Sequence, residues 1–238
     1  MLINYPDFFK FVFSHSPVYG VAVNKLIIFD FDGTLADTRT DIGRAVNSVR
    51  TSYGLPEFPM DKIVGYVGGG RTQLMEKSLH DQPEKDITEA CNRFTEYYVR
   101  NLVVDTRLYD GVSETIKALW SKGYFLAVLS NKPGDMCRKI TAFFGLNQYL
   151  ITTLGGGDVS TVKPEPEGFY EVLRVAREKG FNGKKENTWM VGDHHTDLQL
   201  ALNVGINSIF CKFGFGSRLE MNPDFEIERF NEIKSIII

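Results

Sequence analysis

The stretch Leu26-Ile27-Ile28-Phe29-Asp30-Phe31-Asp32-Gly33-Thr34-Leu35 decides the fold. Four consecutive apolar residues end abruptly on an acid, which is the pattern of a strand buried on both faces and stopped at a polar sheet edge. Similar runs recur at 125–129, 150–154, 188–191 and 208–211, separated by segments of helical periodicity at 112–122, 136–144, 168–179 and 197–204. Strands alternating with helices predict an α/β protein with a doubly wound parallel sheet. Residues 38–107 break the alternation. They carry helical patterns at 41–53, 72–79 and 87–102 and no buried-strand run. We read them as a helical cap inserted after the first strand, which leaves a discontinuous core of residues 25–37 and 108–238.

Polar residues follow three of the apolar runs: Asp30 and Asp32 the first, Ser130 and Asn131 the second, Gly192 and Asp193 the fourth. The carboxyl ends of parallel strands share one edge of the sheet, where ligands bind, so three distant segments are expected to meet in one crevice. Asp30 and Asp32, two apart on an extended chain, face the same side and can divide the labour. In such a pair one carboxylate, kept ionised by a cation, can attack phosphorus while the other protonates the leaving oxygen. Gly33 lets the chain turn beneath a phosphate, and Thr34 offers a hydroxyl and an amide to it. A phosphate dianion beside Asp30 and Asp193 requires positive charge. Hard oxygen ligands point to Mg²⁺, held by Asp30, Asp193 and the backbone carbonyl of Asp32. Lys163, expected at the rim of the crevice, supplies a fixed cation.

These residues fall into a known pattern. Asp30-Phe31-Asp32-Gly33-Thr34-Leu35, Ser130-Asn131, Lys163-Pro164 and Gly192-Asp193-His194-His195-Thr196-Asp197 resemble, in order, the four motifs of the haloacid dehalogenase superfamily of phosphatases. The resemblance implies that Asp30 is the nucleophile and Asp32 the general acid and base, that Ser130 and Lys163 hold phosphate, and that Asp193 binds Mg²⁺. It places Asp197 behind them, orienting Lys163 or a metal-bound water. Within the superfamily the chain is most similar to phosphoglycolate phosphatases. Asn131-Lys132-Pro133, Tyr109-Asp110-Gly111-Val112, Val67-Gly68-Gly69-Gly70-Arg71 and the tail Phe213-Gly214-Phe215-Gly216 carry that likeness. Two features depart from it: a long segment precedes the first strand, and Ser130 stands where Thr is usual. Asn131, Thr34, Gly70 and Arg71 are expected to contact substrate, with Arg71 binding a substrate carboxylate in two parallel hydrogen bonds. The implied activity is hydrolysis of a small phosphorylated metabolite such as 2-phosphoglycolate. Other phosphometabolites, pyrophosphate, sugar phosphomutase chemistry and a catalytically silent binding protein are the alternatives.

Composition narrows the remaining classes. Apolar residues make up 43% of the 238, enough for a sizeable core, and a formal net charge of −3 offers no basic field to nucleic acid or an anionic membrane. Cys91, Cys137 and Cys211 are odd in number and widely spaced, which suits reduced, buried thiols and a cytoplasmic setting. In residues 1–24 the cluster of Phe8, Phe9, Phe11, Val12 and Phe13 is interrupted by Lys10 and has no basic flank, so it reads as an additional packed segment or tail rather than a secretory signal. No run approaches the roughly 20 apolar residues of a spanning helix. Gly68, Gly69 and Gly70 lack the Lys-Ser/Thr of a nucleotide-binding loop. His194 and His195 are adjacent and expected to diverge, which argues against a transition-metal site. Oligomeric state has no signature in the chain.

Overall fold

The computed structural model describes residues 24–82 and 84–237, so that the N-terminal extension lies, Asn24 apart, outside the described residues. The central strand β1 (Leu26–Phe29) is fully buried and is followed by the short strand β2 (Ala36–Asp37). The cap segment contributes α1 (Arg39–Ser52), α2 (Met60–Val64), α3 (Gly70–Ser78) and α4 (Ile87–Arg100), and the chain returns through β3 (Arg107–Leu108). The core then runs α5 (Val112–Ser121), β4 (Phe125–Pro133), α6 (Gly134–Phe143), β5 (Thr152–Gly156), α7 (Glu167–Glu178) and β6 (Thr188–Gly192). It finishes with α8 (His195–Val204), β7 (Asn207–Cys211), β8 (Phe225–Ile227) and α9 (Ile233–Ile237).

Six strands form one parallel sheet in the order β5-β4-β1-β6-β7-β8. Winding reverses across β1, which places the switch point of the sheet at the carboxyl end of the strand that carries Asp30. Alternate residues of β1 feed two apolar layers. Leu26 and Ile28 pack with Phe169 and Val172 of α7 and Leu200 and Val204 of α8. Ile27 and Phe29 join Val112 and Ile116 of α5, Met136 of α6, and Val46, Phe94 and Tyr98 of the cap segment. Each such buried side chain contributes about 1.5–3 kcal/mol. One apolar cluster therefore runs from the sheet into the cap helices. The crossings between the two segments are tied as an antiparallel ribbon, with Ala36 opposite Leu108 and Asp37 opposite Arg107.

Three differences from the sequence reading have local causes. The third strand begins at Thr152 rather than Leu150 because a 3₁₀ turn over Asn147–Tyr149 uses Leu150 to close. Gly155 and Gly156 carry that strand past its expected end at residue 154. A Cβ on Gly155 would overlap the carbonyl of Lys132, so glycine admits the close approach of β4, and only Gly157 turns, at φ 93°. Finally, β4 extends past Leu129 through an irregular register to Pro133, carrying Ser130, Asn131 and Lys132 inward.

Candidate active site

The carboxyl ends of β1, β4 and β6 open into a cleft of about 50 Å³ roofed by α3 and α4. Asp30, Asp32, Ser130, Asn131 and Asp193 line it from the core side, and Gly70, Arg71 and Tyr98 from the cap side. Asp30 follows directly on β1 because its backbone N–H still donates to Val191 of β6, at 2.8 Å. Its carboxylate stands with those of Asp193 and Asp197 in a group whose oxygens lie within 4.8 Å of one another, an arrangement able to coordinate a divalent cation.

The partners of the three carboxylates differ. Oδ2 of Asp193 accepts the backbone N–H groups of Phe215 (3.0 Å) and Gly216 (2.7 Å), and Oδ1 has only the distant hydroxyl of Thr34 at 3.4 Å. Burial, reinforced by the charges of Asp30 and Asp197, pushes the Asp193 carboxyl well above its ordinary value. Asp197 has both oxygens engaged, one by the Lys163 ammonium at 2.6 Å and the other by the His194 N–H at 3.0 Å. Burial raises it to about 7 against the pull of Lys163. Lys163 also lies 2.9 Å from Oδ1 of Asp30, but at an angle that leaves this buried oxygen without a hydrogen-bond donor among the described residues.

Lys163 is 4% exposed, so it sits on the floor of the site rather than at the rim where it was expected. Burial alone would lower its pKa, and the adjacent Asp197 and Asp30 outweigh that and raise it. Thr34 is fully buried, with its hydroxyl turned towards Asp193. The Asn131 side chain is likewise occupied: it donates to the carbonyls of Gly68 (2.8 Å) and Lys163 (2.9 Å) and accepts from the Lys163 N–H (2.8 Å). These bonds hold the cap loop and the lysine loop together. Arg71 lines the cleft, with one guanidinium N–H on Thr95 (2.7 Å) and a buried Nε that has no partner among the described residues.

Several contributors escaped the sequence reading. Lys132 donates to Asp32 Oδ1 at 3.0 Å and to the Tyr98 hydroxyl at 2.6 Å, and Thr38 donates to the same Oδ1 at 2.7 Å. The backbone groups of Phe215 and Gly216 have no side-chain signature, and only the surrounding glycines marked them. The rings of His194 and His195 do not diverge but lie 4.0 Å apart between centroids. Burial, with His195 beside it, lowers His194 to about 4, so its ring is neutral where it packs on Gly68. Cys91, Cys137 and Cys211 are free and buried. Among the described residues no helix is long and apolar enough to cross a membrane.

The chain as a whole is similar to known proteins. The family model for haloacid dehalogenase-like hydrolases matches residues 27–211. The phosphoglycolate phosphatase of Aquifex aeolicus (strain VF5) is 31% identical over 213 residues, covering 90% of this chain and 96% of that protein. That of Haemophilus influenzae (strain 86-028NP) is 32% identical over 224 residues, covering 90% and 98%. The crystal structure of a predicted phosphoglycolate phosphatase from Haemophilus somnus 129PT matches with a TM-score of 0.82 at 29% identity, over 92% of this chain and 100% of that one. The chain belongs to the haloacid dehalogenase-like hydrolase family. Within it, sequence and structure relate the chain closely to phosphoglycolate phosphatases.

Proposed function

We propose that this protein hydrolyses a small phosphate monoester, 2-phosphoglycolate foremost, through an aspartyl-phosphate on Asp30 with Mg²⁺ as cofactor. The observation that carries the reading is the floor of the cleft, where Asp30 stands between Lys163 and Asp193 with one carboxylate oxygen lacking a donor. Among the described residues, Lys132 and Lys163 are the cations in ion pairs with Asp32, Asp30 and Asp197, and Asp193 has no such pair. Two negative charges remain, which is the charge of one divalent cation. Hard carboxylate oxygens suit Mg²⁺. Since both oxygens of Asp197 are engaged, Asp30 and Asp193 are the side-chain ligands in this reading, with the Asp32 carbonyl. The bound ion supplies neutralising charge to the phosphoryl oxygens.

Asp30 attacks phosphorus in line while Asp32 gives its proton to the departing alkoxide. Ser130 and Lys163 hold the phosphoryl oxygens, and Asp197 holds Lys163. Asp32 then takes a proton from the water that attacks the aspartyl-phosphate, releasing phosphate and restoring Asp30. The relatives from Aquifex and Haemophilus are named for phosphoglycolate. Arg71 in the cap gives that substrate a chemical basis, because a guanidinium pairs with a carboxylate in two parallel hydrogen bonds. The preceding Gly70, at φ 86°, lets backbone approach the ligand. The test is phosphate release from 2-phosphoglycolate without a bisphosphate activator, lost on chelation and restored by Mg²⁺, with Asp30→Asn folded but inactive and forming no phosphoenzyme. Appreciable turnover by Asp30→Asn, or by the metal-free enzyme, would sink the reading.

A further inference from the structure

We infer that Tyr98, carried by cap helix α4, is a positioning residue that acts through Lys132 to aim the Asp32 carboxyl at the leaving group. The inference rests on the proposed role of Asp32 and names a component that the motifs leave unassigned.

The geometry starts from the inequality of the two Asp32 oxygens. Oδ1 accepts from the Thr38 hydroxyl at 2.7 Å and from Lys132 at 3.0 Å, whereas Oδ2 has only the longer Lys132 contact at 3.3 Å. Two donors on Oδ1 fix the plane of the carboxyl and leave Oδ2 as the oxygen that carries and releases the proton. Of those donors, Thr38 is fully buried and local, six residues away just past β2. Lys132 is not local. An ammonium on a four-carbon stem has three donors and no preferred plane, so it does not hold a carboxylate by itself. Tyr98 removes that freedom twice over: its hydroxyl takes one ammonium N–H at 2.6 Å, and its ring lies 4.4 Å from the same nitrogen. Tyr98 is fully buried and its ring packs on Phe94 at 5.3 Å, so it is itself held. Because Tyr98 belongs to the cap and Lys132 to the core, this support exists only while the cap is seated. Acid catalysis is thereby confined to the closed cleft.

The experiment compares Tyr98→Phe with the parent on 2-phosphoglycolate and 4-nitrophenyl phosphate, reading kcat/KM. That ratio reports steps only up to loss of the leaving group, so later hydrolysis of the phosphoenzyme does not enter it. Phenylalanine keeps the ring and its packing and removes only the hydroxyl. Departure of an alkoxide requires the proton and departure of nitrophenolate does not, so the expected result is a loss of about tenfold on 2-phosphoglycolate with less than about twofold on the aryl ester. In a Lys132→Met background the same change should have no selective effect, because the link through which Tyr98 acts is gone. Equal losses on both esters, or an undiminished selective loss without Lys132, would overturn the inference. A parent enzyme that turns over neither ester would instead reject the proposed function.

Discussion

Glycine at position 33 is a requirement of Asp193 as much as of the turn. At φ 80° the position disfavours any other residue, and a Cβ there would overlap the Asp193 carboxylate. Gly214 also lies against the same aspartate, where a Cβ would overlap it. Asp193 is thus held by two glycine contacts and two backbone N–H groups, with one oxygen left to face the cleft. Arg71 is the opposite case, a side chain whose chemistry is unfinished, because its buried Nε has no partner. If a substrate carboxylate completes it, Arg71→Ala should lower kcat/KM on 2-phosphoglycolate by about 30-fold or more. The loss on 4-nitrophenyl phosphate, which has no carboxylate, should stay within about threefold. Parallel losses on the two substrates would remove Arg71 from substrate recognition and leave the phosphoryl chemistry untouched.

Among the elements, the first turn of α1 anchors the base of the cap segment. Asp41 is 1% exposed, and its carboxylate accepts the backbone N–H groups of Val104, Asp105 and Thr106 and the Thr106 hydroxyl. It ties the outgoing limb of the cap to the returning one just above the β2–β3 ribbon. Asp41→Ala would strand those buried donors at a cost of about 3 kcal/mol, which for a chain of this size is about 6–12 °C in Tm. Thermal and urea unfolding measure it, and a shift below about 2 °C would mean that water takes over the contacts. Legibility of the elements in the sequence follows from their locality. The run 26–29, the polar residues that end it, and the helices at 112–122 and 168–179 declare themselves by burial pattern within a few residues. The ribbon β2–β3, the three-residue β8 and the five-residue α2 and α9 do not, because each is made by what it pairs or packs with. The site divides the same way. Asp30, Asp32 and Asp193 are marked by their place at strand ends, whereas the meeting of Lys132 with Tyr98 spans 34 residues of chain and two segments.

For the molecule as a whole, the buried charge at the switch point links folding, protons and metal. Burial and like-charge neighbours raise Asp193, and burial raises Asp197 to about 7, so the folded protein favours their protonated forms more than the unfolded chain does. Stability from these groups is therefore present at low pH and is lost as pH climbs from about 4, the unfolded carboxylate range, through the raised folded values. A divalent cation that binds the ionised carboxylates reverses the loss, since ligands of the native state stabilise it. The Tm gain on adding Mg²⁺ should consequently grow between about pH 5 and pH 8, and scanning calorimetry at a series of pH values would show it; a gain independent of pH, or none, would contradict the assignment. The ribbon joining the two segments bears on how such an enzyme opens. Two crossings laid side by side, Ala36 against Leu108 and Asp37 against Arg107, with Tyr109 donating to Leu35 at 3.1 Å, resist shear and swivel far more than bending across the flat of the ribbon. Such a ribbon would act as a leaf hinge rather than a ball joint: an opening that bent it would part Tyr98 from Lys132 and the Gly68 carbonyl from Asn131 together.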